Sequence, residues 1–215
     1  MQLKFYAQSA FHITADDGAR IMIDPYEYNE RIRYDPTFDE ADIVLVTHEH
    51  GDHANVDAVP GDYSVVRGVG AQTARGKTFL GIGSYHDDEE GARRGPNTIF
   101  VFDIDGIRIA HFGDQGCELS PTQVALLSGV NVMLAPIGGG STLAPELMWE
   151  LAEQVQPNIF VPCHFKTSEI NMPFITVDEF VDGKDNVRRL GGSEITLDAG
   201  NLPDPIELLV MDRSR

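Results

Sequence analysis

The octapeptide THEHGDHA, residues 47 to 54, sets His48, His50, Asp52 and His53 in the order H-x-H-x-D-H. Imidazole nitrogen and carboxylate oxygen are the donors that zinc-like divalent ions take in catalytic sites, which keep one position open. In extended backbone, side chains two apart face the same way, so His48 and His50 converge on one point. Gly51 lets the chain turn, after which Asp52 and His53 can face a second point. Glu49, between two convergent histidines, points away from both.

One loop cannot close two ion sites, so further donors are needed. The other histidines are His12, His86, His111 and His164. His86 follows LGIGSY, His111 ends GIRIA, His164 follows NIFVPC, and Asp114 sits in HFGDQG. Each places a donor at the end of an apolar run. His86 and His111 compete for the third place beside His48 and His50, whereas His12 reads as a packed histidine. In DDEEGARRG, Arg93 and Arg94 can grip a phosphate or carboxylate with their planar guanidinium groups. Alternatively they neutralise Asp87, Asp88, Glu89 and Glu90. The run GGG offers the backbone N–H groups of Gly139 and Gly140 to an anion, or serves as a plain tight turn. Cys117 and Cys163 lie beside proposed donors and read as structural thiols; no CxxC spacing exists.

Short strands must position these residues. Residues 3–6, 11–14, 63–67, 77–80, 98–102 and 107–111, with IMID and ADIVLVTH, have strand composition. ADIVLV is apolar on both faces, as for a strand covered by a layer on each side. Asp105-Gly106 between two such runs predicts a hairpin. After Gly116 helices enter. SPTQVALLSG offers Ser120 as N-cap, Pro121 at the first helical position and Gly129 as a stop. APELMWELAEQVQP predicts a helix with Leu147, Leu151 and Val155 on one face, and TVDEFVDG a shorter one. NVMLAP, NIFVPCH, SEITLD and IELLVM read as strands. Helices flanking sheets suit this mixture better than an all-β barrel.

The ordered series Asp24, H-x-H-x-D-H, His86, Gly113-Asp114 and His164 resembles the metallo-β-lactamase fold superfamily. The segments MIDP, THEHGDHA, HFGD, APIGGG and VPCHF resemble its small metal-dependent hydrolase branch, which includes L-ascorbate-6-phosphate lactonase. The resemblance implies an α/β (α+β) fold, a four-layer αββα sandwich of two mixed β-sheets with metals at one edge. It implies that His48, His50 and His86 hold one divalent ion, that Asp52, His53 and His164 hold a second, and that Asp114 bridges them. Asp24 would buttress a ligand histidine, and His111 would stand behind the ligands or face substrate. The implied activity is hydrolysis of an ester, lactone or phosphoester of a small molecule. A hydroxide shared by the two ions would attack, oriented by Asp52. Zinc is the expected ion, with manganese, nickel and iron accepting similar donors. The rivals are an iron-dependent redox enzyme on the same fold and a metal-binding protein without turnover. This chain departs from related sequences at Ala7-Gln8, where Gly-His is usual, and along DDEEGARRG.

The 215 residues carry 34 acidic against 16 basic side chains, a net charge of −18. That surface repels nucleic-acid phosphates and anionic lipid, so neither is an expected partner. A small-molecule substrate is expected, and a homo-oligomer stays open. No apolar run has the length of a membrane span. The N-terminus lacks the basic-then-apolar pattern of a signal peptide, which sets a cytoplasmic expectation with reduced cysteines. A single domain over residues 1–215 is the expected organisation.

Overall fold

Alternating side chains decide how the chain layers. Along β1 (Gln2–Ala7), β2 (Ala10–Thr14), β3 (Arg20–Ile23) and β4 (Ile43–Val46), buried residues occupy both faces. Leu3, Phe5, Phe11, Ile13, Ile21, Ile23 and Leu45 enter one core cluster, and Tyr6, Ala10, Met22, Val44 and Val46 enter another. This period-2 split requires a sheet covered on both sides. The computed structural model describes residues 1–204 and 206–214; the sequence-derived domain span also includes residues 205 and 215, which lie outside them.

The first four strands continue into β5 (Ser64–Arg67). A second sheet follows from β6 (Gly70–Ala74), β7 (Lys77–Tyr85), β8 (Pro96–Ile104), β9 (Ile107–His111), β10 (Val132–Pro136), β11 (Ile159–Cys163) and β12 (Val187–Arg189). β13 (Glu194–Thr196) then returns to the first sheet, and β14 (Glu207–Val210) joins the second. The strand orders are β13-β1-β2-β3-β4-β5 and β12-β14-β11-β10-β9-β8-β7-β6. Both sheets are mixed: β3, β4 and β5 are parallel neighbours in one, and β9, β10 and β11 in the other. Asp105 (φ 52°) and Gly106 (φ 79°) close the β8–β9 hairpin in the left-handed region that such a turn needs.

Phe79, Phe100, Phe102, Ile109, Val132, Leu134 and Val161 meet the inner face of the first sheet in one cluster. Three helices follow β9: α1 (Pro121–Leu126), α2 (Pro145–Val155) and α3 (Val177–Val181). Ser120 caps α1 through a reciprocal box with Gln123. The outer face of the second sheet packs Val101, Met133 and Phe160 against α2 and against Phe180 of α3. The buried residues of α2 are Met148, Leu151 and Ala152, and Leu147 and Val155 of the expected stripe pack beside them on the same cluster. An i, i+4, i+8 row drifts by about 40° per step across a helix, so its ends are only partly buried. The outer face of the first sheet is covered by irregular chain, with Tyr26, Ile32, Tyr34 and Phe38 packed on it, together with the 3₁₀ turn Val56–Ala58.

β6 and β12 escape the sequence pattern because both are edge strands, made of small or charged residues in GAQTA and VRR. Among the described residues no helix is long and apolar enough to cross a membrane. β3 and β4 run the same way in one sheet, and β7, β9 and β11 in the other. Their C-terminal ends deliver Asp24, His48, His86, Asp114 and His164 to one rim.

Candidate metal centre

Beyond β4 the chain bends at once: residues 47–50 are not strand. His48 and His50 still meet, with ring centroids 4.7 Å apart. The bend brings them together, not strand alternation. Gly51 lacks a positive φ. The reversal comes from the His50 carbonyl, which accepts from the N–H groups of His53 and Ala54 at 2.9 and 3.0 Å. Glu49 turns away into a surface ion pair with Arg67.

Two clusters of donor atoms result. His48, His50 and His86 form one, and Asp52, His53, Asp114 and His164 the other, with the donor atoms of each within 4.8 Å of one another. Asp114 faces both. Its Oδ2 lies 3.1 Å from His86 Nε2, 3.2 Å from His164 Nε2 and 4.0 Å from His48 Nε2, and its Oδ1 lies 3.2 Å from His53 Nε2. Asp52 Oδ2 is 3.5 Å from His53 Nε2. Burial and the nearby His53 push the His48 imidazole down to about 3. Burial opposes charge on His53, yet Asp114, Asp52 and Asp24 carry it well above the ordinary range. Burial would raise Asp114, but His164 and His53 hold it well below the usual carboxylate range.

One buried carboxylate sets the imidazole tautomers. Asp24, at the end of β3, accepts Thr47 N–H at Oδ1 (2.8 Å). Its Oδ2 takes the Thr47 hydroxyl (2.7 Å), His53 Nδ1 (2.9 Å) and His111 Nε2 (2.8 Å). An ionised carboxylate only accepts, so His53 keeps a proton on Nδ1 and turns Nε2, the nitrogen that would hold an ion once its own proton leaves, toward Asp52 and Asp114. Thr47 gives its one hydroxyl proton to Asp24, so its oxygen accepts from His48 Nδ1 at 3.0 Å. That leaves the His48 Nε2 lone pair facing the cluster. Burial raises the Asp24 carboxyl, but His53 and His111 outweigh it and hold the group well below its usual range.

His48 Nε2, His53 Nε2 and Asp114 Oδ1 are buried with no hydrogen-bond partner. Folded chains rarely leave such atoms unmatched. Imidazole lone pairs and carboxylate oxygens that demand positive charge at their common centre fit a divalent cation.

Two further side chains and one glycine hold the rim. Asn97 Oδ1 accepts the Asp114 N–H at 3.1 Å while its Nδ2 donates to the Phe112 carbonyl at 2.9 Å. Gln8 Nε2 donates to Asp52 Oδ2 at 3.0 Å, and the Gln8 backbone carbonyl accepts the His164 N–H at 2.7 Å. A Cβ on Gly116 would meet the His86 carbonyl carbon at 2.3 Å. Thr47 and Asn97 carry no sequence signal of these contacts. Gln8 did: it falls in Ala7-Gln8, where the sequence departs from the pattern that it otherwise resembles.

His111 lies outside both clusters, fully buried behind Asp24. A cavity of about 270 Å³ opens onto His50, Asp52, His86, Asp114 and His164, and Arg94 lines it. Arg93 is paired with Glu89 and lines only a neighbouring cavity, with Gly140 and Cys117. Gly139 and Gly140 both have positive φ, and the Gly139 carbonyl closes the turn by accepting from Ser141 and Thr142. Gly139 lines neither cavity. Cys163 is buried, its thiol pushed up by burial. His12 is buried too, 3.1 Å from the Glu40 carbonyl.

A family model described as Beta-lactamase superfamily domain matches residues 2–164. The chain belongs to the beta-lactamase superfamily. Within it, a UPF0173 metal-dependent hydrolase of Thermococcus onnurineus is 27% identical over 194 residues, spanning 78% of this chain and 85% of the relative. A UPF0173 protein of Pyrococcus furiosus is 30% identical over 175 residues, spanning 74% and 80%. The fold is similar to that of a candidate Zn-dependent hydrolase of the metallo-beta-lactamase superfamily from Thermotoga maritima. The TM-score is 0.80 at 28% identity, over 98% of this chain and 97% of the other. With these relatives, the chain is a metal-dependent hydrolase of the superfamily.

Proposed function

We propose that the chain holds two divalent ions, zinc before manganese, nickel or iron. With them it hydrolyses an ester, lactone or phosphoester of a small molecule in the cytoplasm. The observation that carries this reading is the place of Asp114, whose carboxylate stands 3.1 Å from His86 of one cluster and 3.2 Å from His53 and His164 of the other. His48, His50 and His86 would hold one ion, Asp52, His53 and His164 the second, and Asp114 both. Such ions, when bound, polarise the scissile carbonyl or phosphoryl oxygen and lower the pKa of water.

The chain supplies the rest. Gln8 fixes Asp52 Oδ2, so the Asp52 carboxylate faces the cavity, where it can orient the attacking water and accept its proton. Asp24 and Thr47 keep His53 and His48 in the tautomers that present Nε2. Ile32 and Met172 give the cavity an apolar wall for the uncharged part of a substrate.

A panel of esters, lactones and phosphoesters, run on protein loaded with each ion in turn, tests the reading. His86→Ala should lose an ion and turnover. His111→Ala should keep both ions, with affinity or rate lower by about 10–100-fold. No turnover by any loaded form, or dioxygen consumption by the iron-loaded form in its place, would overturn the hydrolase assignment. The opposite behaviour of the two variants would exchange the roles of His86 and His111.

A further inference from the structure

The cavity over the candidate metal centre is lined by two arginines, Arg31 and Arg94. In a chain of net charge −18, basic side chains find partners easily. Every other described arginine and lysine side chain engages a carboxylate or a backbone carbonyl. Among the described residues, only the guanidinium groups of Arg31 and Arg94 make no hydrogen bond, ion pair or ring contact.

Their backbones, in contrast, are pinned. Asn29 Oδ1 accepts the N–H groups of Arg31 and Ile32, both at 2.9 Å, and the Arg31 carbonyl accepts from Asn171 at 2.8 Å. Ile32, beside Arg31, is buried and bridges to Ile170. Across the cavity Asp87 gathers the N–H groups of Glu89, Gly91, Arg93 and Arg94 and fixes the loop after His86. Asp88 and Glu118 line the adjoining cavity without pairing to Arg94. Asn29 and Ser141 add polar groups to the wall that both arginines share. Two fixed points of attachment carrying free planar cations on one small cavity suit the bidentate binding of an oxyanion.

We infer that Arg31 and Arg94 form a clamp for a phosphate or carboxylate group of the substrate. The clamp selects an anionic substrate against the repulsion of the acidic surface and sets its scissile bond over Asp114 and the histidines. The second role rests on the hydrolase reading; binding of the anion does not.

Calorimetric titration of the zinc-loaded chain with inorganic phosphate, and separately with succinate, reads the clamp without turnover. The wild type should bind one or both, which also tells a phosphate site from a carboxylate site. Arg31→Gln and Arg94→Gln should each weaken binding by about tenfold, and Arg94→Lys by less. Phosphate held by the ions alone would bind an R31Q/R94Q double variant as tightly as the wild type, and that result overturns the clamp. So does failure of the wild type to bind either anion. With an ester that is turned over, the kcat/KM ratio of an anionic ester to its neutral analogue should fall about tenfold in each glutamine variant; an unchanged ratio overturns the clamp. If no ester is turned over, the hydrolase reading fails while the titrations still decide the anion site.

Discussion

Asp24→Asn isolates the charge that organises the imidazoles. Asp24 is fully buried and has φ 46°, a conformation that asparagine tolerates as aspartate does, so the backbone adds little to the effect. Four hydrogen bonds end on its carboxylate. With the new NH₂ in the place of Oδ1, it faces the Thr47 N–H donor to donor, and leaving that buried N–H unmatched costs about 1–3 kcal/mol. The three donors at Oδ2 keep an acceptor but lose its charge. Charge-assisted bonds contribute about 1.5–3 kcal/mol and neutral ones about 0.5–1.5, so this costs up to about 1 kcal/mol at each. The total is about 4 kcal/mol, a large share of the roughly 5–15 kcal/mol that folded domains hold. Urea denaturation in excess chelator measures it without the contribution of bound ions. Competition with a chromogenic chelator should then show ion affinity reduced by about 10–100-fold, because the partner of His53 Nδ1 loses the charge that makes the imidazole a stronger donor to the ion. A loss below about 1 kcal/mol with unchanged ion affinity would refute the reasoning.

Gly116→Ala should force the His86 backbone aside, since its Cβ would lie 2.3 Å from the His86 carbonyl carbon. We expect about 1–3 kcal/mol lost in thermal denaturation and a weakened cluster of His48, His50 and His86; wild-type stability would contradict the packing. Gln8→Asn shortens the side chain that holds Asp52 while tolerating the φ of 54° at that position. Turnover should fall about 10–100-fold with ion content retained, and full activity would show that Asp52 needs no such support. For His12, burial holds the imidazole below its usual range, partly opposed by the Glu40 carbonyl. The unfolded chain therefore binds this proton first, and stability falls as pH drops below the unfolded value of about 6.5. His12→Gln should flatten the stability profile between about pH 7 and about pH 5; an unchanged slope would discount His12.

The rim was legible wherever an apolar strand stops at a donor-type side chain. His48 after ADIVLV, His86 after β7 and His164 after β11 show that boundary in the sequence, and the structure brings them together with Asp114. The layering was legible too, because a strand apolar on both faces needs two covers. What escaped depends on partners far apart in the chain. Asn97 reaches the Asp114 backbone across 17 positions, and Arg31 gains its place from contacts with residues 170 and 171. Neither residue type has a local pattern that reveals such a contact. Arg93 and Arg94 looked equivalent in sequence. Only the geometry separates the one paired with Glu89 from the one left facing the cavity. Thr47 was hidden for a related reason: its hydroxyl joins Asp24 to His48 only once β3 and β4 lie side by side.

The central claim is that Asp114 joins two ion sites in one chain. The metal-to-protein ratio, read by elemental analysis of the active wild type and of Asp114→Asn after identical loading and desalting, tests it most directly. The account predicts two ions per chain in the wild type. In the variant, which keeps the size of the side chain but not its charge, it predicts fewer ions and turnover lost. One ion per chain in fully active wild type, or two retained in an active Asp114→Asn, would contradict it.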